Sequence, residues 1–105
     1  MAEPVEQAPP APVTEVIEET TVGMLGAVRV PMGNMTVGGY TLPDGTARRG
    51  WICSLALEGG GVFVGEGSRV TVGGAVWEVV AVQKAPGELG SVTLRQVSLQ
   101  ATGQP

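Results

Sequence analysis

The chain has 105 residues, a formal net charge of −4, seventeen glycines, one cysteine and no histidine. That length holds one small domain, burying roughly 60–65% of its unfolded surface. Without histidine, the commonest general base, the Ser–His triad and Cys/His zinc sites are all excluded.

The charge is unevenly placed. Glu3, Glu6, Glu15, Glu18 and Glu19 fall in residues 1–20, which contain no Lys or Arg. The remainder sets five acids against six bases and is nearly neutral. Nothing there makes the basic stripe that displaces phosphate counterions, so composition argues against nucleic acid as a partner. Abundant glycine with recurrent valine and threonine favours short strands and tight turns over helices.

Residues 1–12 hold four of the eight prolines. Pro9-Pro10 and Pro12 impose extended backbone and remove donors. Residues 13–22, VTEVIEETTV, alternate β-branched side chains with Glu and Thr, the pattern of a strand that adds to a neighbour's sheet edge. The plainer reading is a solvated linker. Residues 1–22 are therefore read as an acidic, Pro-rich extended arm.

From Met24 the pattern is strand, turn, strand. Residues 24–30 read as a strand stopped by Pro31 and Gly33-Asn34, and residues 35–42 as the next, with a bulge or turn at Gly38-Gly39. Pro43-Asp44-Gly45-Thr46 is a strong turn. In 51–57, Trp51, Cys53, Leu55 and Leu57 share one face. The run 58–61 breaks that strand, 62–64 returns, and 65–68 turns again.

Residues 69–82 form two β-rich runs around Gly73-Gly74, the spacing of a primed-turn hairpin. The second run places Val76, Val80 and Val82 on one face and Trp77, Val79 and Ala81 on the other. A strand apolar on both faces belongs inside a sandwich or closed barrel. After a polar loop at 83–90, residues 91–99 close the fold, with a bulge needed near Arg95-Gln96 to bring Val97 and Leu99 into phase with Val92 and Leu94. Residues 23–99 are thus one all-β domain, a small antiparallel β-barrel or β-sandwich, and 100–105 are a loose tail. The tetrad at 36–39, Thr-Val-Gly-Gly, recurs at 71–74; chance explains it, or duplicated hairpins do.

No constellation for catalysis emerges. Carboxylates of the domain are spread singly, and neither glycine run precedes a helix or a GK[ST] tripeptide, as a phosphate loop requires. Cys53 sits on an apolar face and reads as a buried structural thiol. Trp77 reads as core, and Trp51 as either core or an exposed anchor for a partner. No enzymatic activity, cofactor or metal is expected. The acidic N-terminus has no apolar core segment and no run near 18 apolar residues follows, so neither a signal peptide nor a membrane span is expected.

The segment 65–82, GEGSRVTVGGAVWEVVAV, with SVTLRQV at 91–97, resembles the closing hairpin of small β-barrel proteins of tailed phages. In head-closure or neck "stopper" proteins the pattern is Gly-x-x-Val-x-Val-x-Gly-x-x-aromatic-x-Val-x-x-Val. Here Gly67, Val70, Val72, Gly74, Trp77, Val79 and Val82 occupy those positions. The resemblance covers about a third of the chain. The long acidic arm departs from the neck pattern and is similar to that of capsid decoration proteins, whose N-termini lie across neighbouring subunits.

What this implies is a structural virion component, in the neck ring or on the capsid, made in the host cytoplasm. Its partners are then capsid, portal or neck subunits, and it works as a homo-oligomer in an assembly. The alternative is a bacterial cytoplasmic β-module that binds one protein partner, with the arm as tether. Ordering about 20 arm residues costs on the order of 20–40 kcal/mol in backbone entropy, which only a large interface offsets. The residues expected to meet partners are Val13, Val16, Ile17, Glu18 and Glu19 of the arm, with Arg48, Arg49 and Trp51.

Overall fold

A computed structural model describes residues 13–99; residues 1–12 and 100–105, and with them the proline-rich stretch and the tail, lie outside the described residues. The described chain is all-β and contains no helix. Its strands are β1 (Thr14–Glu18), β2 (Val22–Leu25), β3 (Val28–Thr41), β4 (Ala47–Leu57), β5 (Gly60–Gly65), β6 (Arg69–Val72), β7 (Ala75–Gln83) and β8 (Ser91–Leu99). They form two four-stranded antiparallel sheets, ordered β1-β8-β7-β6 and β2-β3-β4-β5. Of the two architectures the sequence allows, this is the sandwich.

The core lies between the sheets. Leu25, Val30, Met32, Cys53, Leu55 and Val64 come from one, and Ile17, Trp77, Val79, Val92 and Leu94 from the other, all at most 2% exposed. The expected face of β4 holds: Cys53 and Leu55 are fully buried, and Trp51 and Leu57 pack against the core from the same face.

Tight turns join neighbours within each sheet. At Gly73-Gly74 both central residues have positive φ, 62° and 82°, as the expected primed hairpin requires. At 42–46, Leu42 and Thr46 close the loop through backbone hydrogen bonds, and Asp44 Oδ1 accepts from the Thr46 N–H at 2.9 Å. The Thr-Val-Gly-Gly echo is no duplicated hairpin. Gly38 and Gly39 pair inside β3 with Gly50 and Arg49, without the bulge expected there, whereas the second copy turns.

Two expected strands are redrawn. Residues 24–30 are not one strand but the two arms of a hairpin around Gly26-Ala27, with Leu25 opposite Val28. The expected stop at Pro31 to Asn34 is a bulge: Met32 faces Leu55 and Met35 faces Cys53, so two residues of β3 oppose Ser54 alone. A bulge keeps both methionines in the core, and the extra residue takes up the turn formers without ending the strand.

β7 is likewise corrected. It is not apolar on both faces, because a register shift between Val79 and Ala81 makes Val80 the extra residue. Val79 and Val82 therefore both reach the core, while Val80 is exposed. On β8 the shift falls at Val97, beside the anticipated Arg95-Gln96: Trp77 faces Gln96 and Val76 faces Ser98.

The largest correction concerns residues 13–22. β1 pairs with β8 of its own chain, Thr14 opposite Arg95 through Glu18 opposite Ser91. Ile17 is 1% exposed and lies against Gly23, where no Cβ fits beside it. The sandwich thus includes β1, and residues 14–18 are not part of a free arm. The chain then crosses between sheets at two corners, 18–21 and 65–68. In the second, Ser68 Oγ accepts from the Gly65 N–H at 3.0 Å and the Ser68 N–H donates to the Gly65 carbonyl at 2.9 Å.

Candidate interaction surface

The residues expected to meet partners do not converge on one site. Val13, Val16 and Glu18 lie exposed on or beside β1, an edge strand of one sheet, while Arg48, Arg49 and Trp51 belong to β4, inside the other. Arg48 and Arg49 are strand residues, opposite Tyr40 and Gly39. Adjacent strand positions point to opposite faces, so the two guanidinium groups do not form one patch. Trp51 is half-buried against the core.

Ile17 and Glu19 are corrections. Ile17 is a core residue, for the packing reason given above. Glu19 is 7% exposed and fully engaged within its own chain. Its Oε1 accepts from Lys84 Nζ at 2.6 Å and the Gly90 N–H at 3.0 Å, and its Oε2 accepts from the Met35 N–H at 3.1 Å. The Lys84 hydrogen bond, then those from Gly90 and Met35, hold the carboxyl down at about 2 against the opposing effect of burial. It stays ionised and saturated with donors, so it acts as a clasp between both sheets rather than an acid or base.

Other ionisable groups are no closer to chemistry. Cys53 is fully buried, and burial pushes its thiol up to about 11. Among the described residues, no three His, Cys, Asp or Glu side chains gather as metal ligands do. No described helix is long and apolar enough to cross a membrane.

The surface that stands out is β5 and the outer face of its sheet. β5, GGVFVG, is six residues long and among the described residues pairs only with β4. It carries no charge and no proline, the usual means of blunting an edge. Of the other edges, β1 has Glu15 and Glu18 and β6 has Arg69, while β2, only four residues long, is likewise uncharged. Phe63 on β5 is 64% exposed. Opposed residues of antiparallel strands share a face, so Phe63 shares Ser54's and Val22 shares Pro31's. Val22 and Met24, 49% and 43% exposed, add apolar surface on the outside of that sheet.

Compared with known proteins, the chain matches no family model, no curated protein and no solved structure.

The structure also has concave features. A cavity of about 280 Å³ marks the seam where β5 and β6 part, lined by residues 62–64 and 68–70 under Thr41 and Pro43. At the opposite end, cavities of about 270 and 190 Å³ flank Val28 and Gly73. The smaller is lined in part by Leu25, Trp77 and Gln96, and Trp77 Nε1 is buried without a hydrogen-bond partner among the described residues.

Sequence reasoning missed Phe63, Val22 and Met24 as surface residues. A signal existed for Phe63. Three consecutive apolar residues in a strand must aim at least one outward, and the flanking glycines offer it no cover.

Proposed function

We propose that the chain is a non-enzymatic structural protein of a tailed phage or phage-like particle, in the neck ring or on the capsid surface, acting through protein–protein contacts. The observation that carries this reading is the unblunted β5 edge beside an outer face bearing Phe63, Val22 and Met24. A monomer that works alone covers or charges such an edge, whereas a subunit of an assembly leaves it for a neighbour. Support comes also from the resemblance of the 65–82 hairpin to head-closure proteins and from the acidic, proline-rich residues 1–12. In this reading residues 1–12 lie on neighbouring capsid, portal or neck subunits, a shorter reach than the whole of 1–22.

The test is co-sedimentation. Particles from an induced lysate of the encoding organism are banded on a density gradient and their proteins identified by mass spectrometry. The chain is expected in the particle band with portal and capsid proteins, in repeated copies. A glutamate-specific protease is expected to cut between Glu6 and Gln7 in the free protein and to spare that bond in the particle. Recovery only among free cytoplasmic proteins, with equal cleavage everywhere, would sink the proposal.

A further inference from the structure

Thr20 is the one residue other than glycine with a positive φ among the described residues, at 61°. A β-branched side chain fits that left-handed region poorly. Thr20 lies in the turn 18–21, where the Thr21 N–H donates to the Glu18 carbonyl at 3.2 Å, and this turn is the whole connection between β1 and β2. A strained residue therefore sits at the single joint between the first strand and the other seven.

Among the described residues, what holds β1 lies beyond that joint. Residues 14–18 pair with β8, and Ile17 fills the space above Gly23. Glu19 is held by Met35, Lys84 and Gly90, and its N–H donates to the Gly90 carbonyl at 2.9 Å. A second copy of the chain presents the same strand edge, the same gap and the same donors. We infer that β1 together with Glu19 exchanges between two copies of this chain, the turn 18–21 opening as the hinge.

In the exchanged pair, strand 14–18 of one copy lies on β8 of the other, and the contacts of β1 and Glu19 outside the turn itself are remade between chains. The left-handed Thr20 is required only by the closed turn, and a short strained hinge is the feature that invites such exchange. A foreign strand is a poorer occupant. It must place an apolar side chain over Gly23 and a carboxylate two residues later, or leave the Lys84 ammonium without its counter-charge and the Met35 and Gly90 N–H groups without an acceptor. The exchange is a property of the chain alone and stands apart from the virion reading.

The test uses the purified full chain. Val16 and Thr93 are directly opposed across β1 and β8. Val16→Cys and Thr93→Cys variants are mixed, refolded together at high concentration in reductant, then oxidised. They are expected to form a disulfide between chains at least about tenfold more than Val16→Cys mixed with Thr46→Cys, whose cysteine lies in the distant 42–46 turn. Thr20→Gly, which removes the strain, is expected to raise the dimer dissociation constant about tenfold per hinge in sedimentation equilibrium. Deleting Thr20 and Thr21 is expected to shift the chain towards the dimer. Should that deletion fail to fold, the cysteine pair on the native hinge decides the matter. A wild-type chain that stays monomeric at every concentration, or a Val16→Cys, Thr93→Cys double variant that links only within one chain, overturns the inference.

Discussion

Lys84 Nζ lies 2.6 Å from Glu19 Oε1, across 65 positions of sequence. The pair ties the β1–β2 corner to the loop between β7 and β8, and the same lysine donates to the Glu88 carbonyl at 2.9 Å, bracing that loop. With Met35 on the other oxygen, one carboxylate joins both sheets at the point where the chain changes sheet.

The clasp predicts an acid limb of stability. Glu19 is held at about 2 in the folded state against an ordinary 4.5. Its contribution is thus complete above about pH 4.5 and fades as the pH falls towards 2. Asp44, lowered by its hydrogen bonds with Thr46, acts in the same direction. Urea midpoints between pH 7 and pH 2 should fall steeply for the wild type. For Glu19→Gln they should start lower at pH 7 and fall less; an unchanged slope would remove Glu19 from the account.

Gly23 and Ile17 should behave as one unit. Gly23→Ala forces a methyl group onto the Ile17 side chain and is expected to cost about 1–3 kcal/mol. Ile17→Ala alone should cost about 2–5 kcal/mol. The double variant should lose less than the two together, because the new methyl occupies space the isoleucine vacates. Additive losses in denaturant titrations would show that the two side chains do not share that space.

Tyr40 crosses sheet positions to lie on Gly65, with its hydroxyl donating to the Glu66 carbonyl at 2.9 Å. A Cβ at position 65 would lie 2.5 Å from the tyrosine ring. Gly65→Ala should destabilise by about 1–3 kcal/mol through overpacking. Tyr40→Phe should cost only about 0.5–1.5 kcal/mol, the net worth of one hydrogen bond. Thermal unfolding of both variants checks the order; a larger loss for Tyr40→Phe contradicts it.

Cys53 should be silent until the sandwich opens. Full burial and a thiol near 11 leave it neither accessible nor ionised at pH 8. A disulfide reagent is expected to label it only at the rate of unfolding, and immediately in denaturant. Rapid labelling of the native protein would place the thiol at the surface.

Much of the fold was legible along the chain. The face shared by Cys53 and Leu55, the turn at Pro43-Asp44-Gly45-Thr46 and the hairpin at Gly73-Gly74 each rest on chemistry within a few residues: period-two alternation, a preset proline φ, or glycine's freedom at positive φ. The breaks in that rhythm were less legible. Gly33-Asn34 signals a turn equally well whether the strand ends or bulges, and only the need to bury Met32 and Met35 together selects the bulge.

The candidate surface divides the same way. Local pattern marks β1 as a strand with Val16 on one side and Ile17 on the other, and composition marks the domain as nearly neutral. Which sheet β1 joins, whether Glu19 meets solvent or Lys84, and which strand is left at the edge with Phe63 outward depend on groups up to 71 positions apart, as Gly90 is from Glu19. Alternation reports only that a strand has two faces. What covers each face, and what holds each charge, is settled when the second sheet closes over the first.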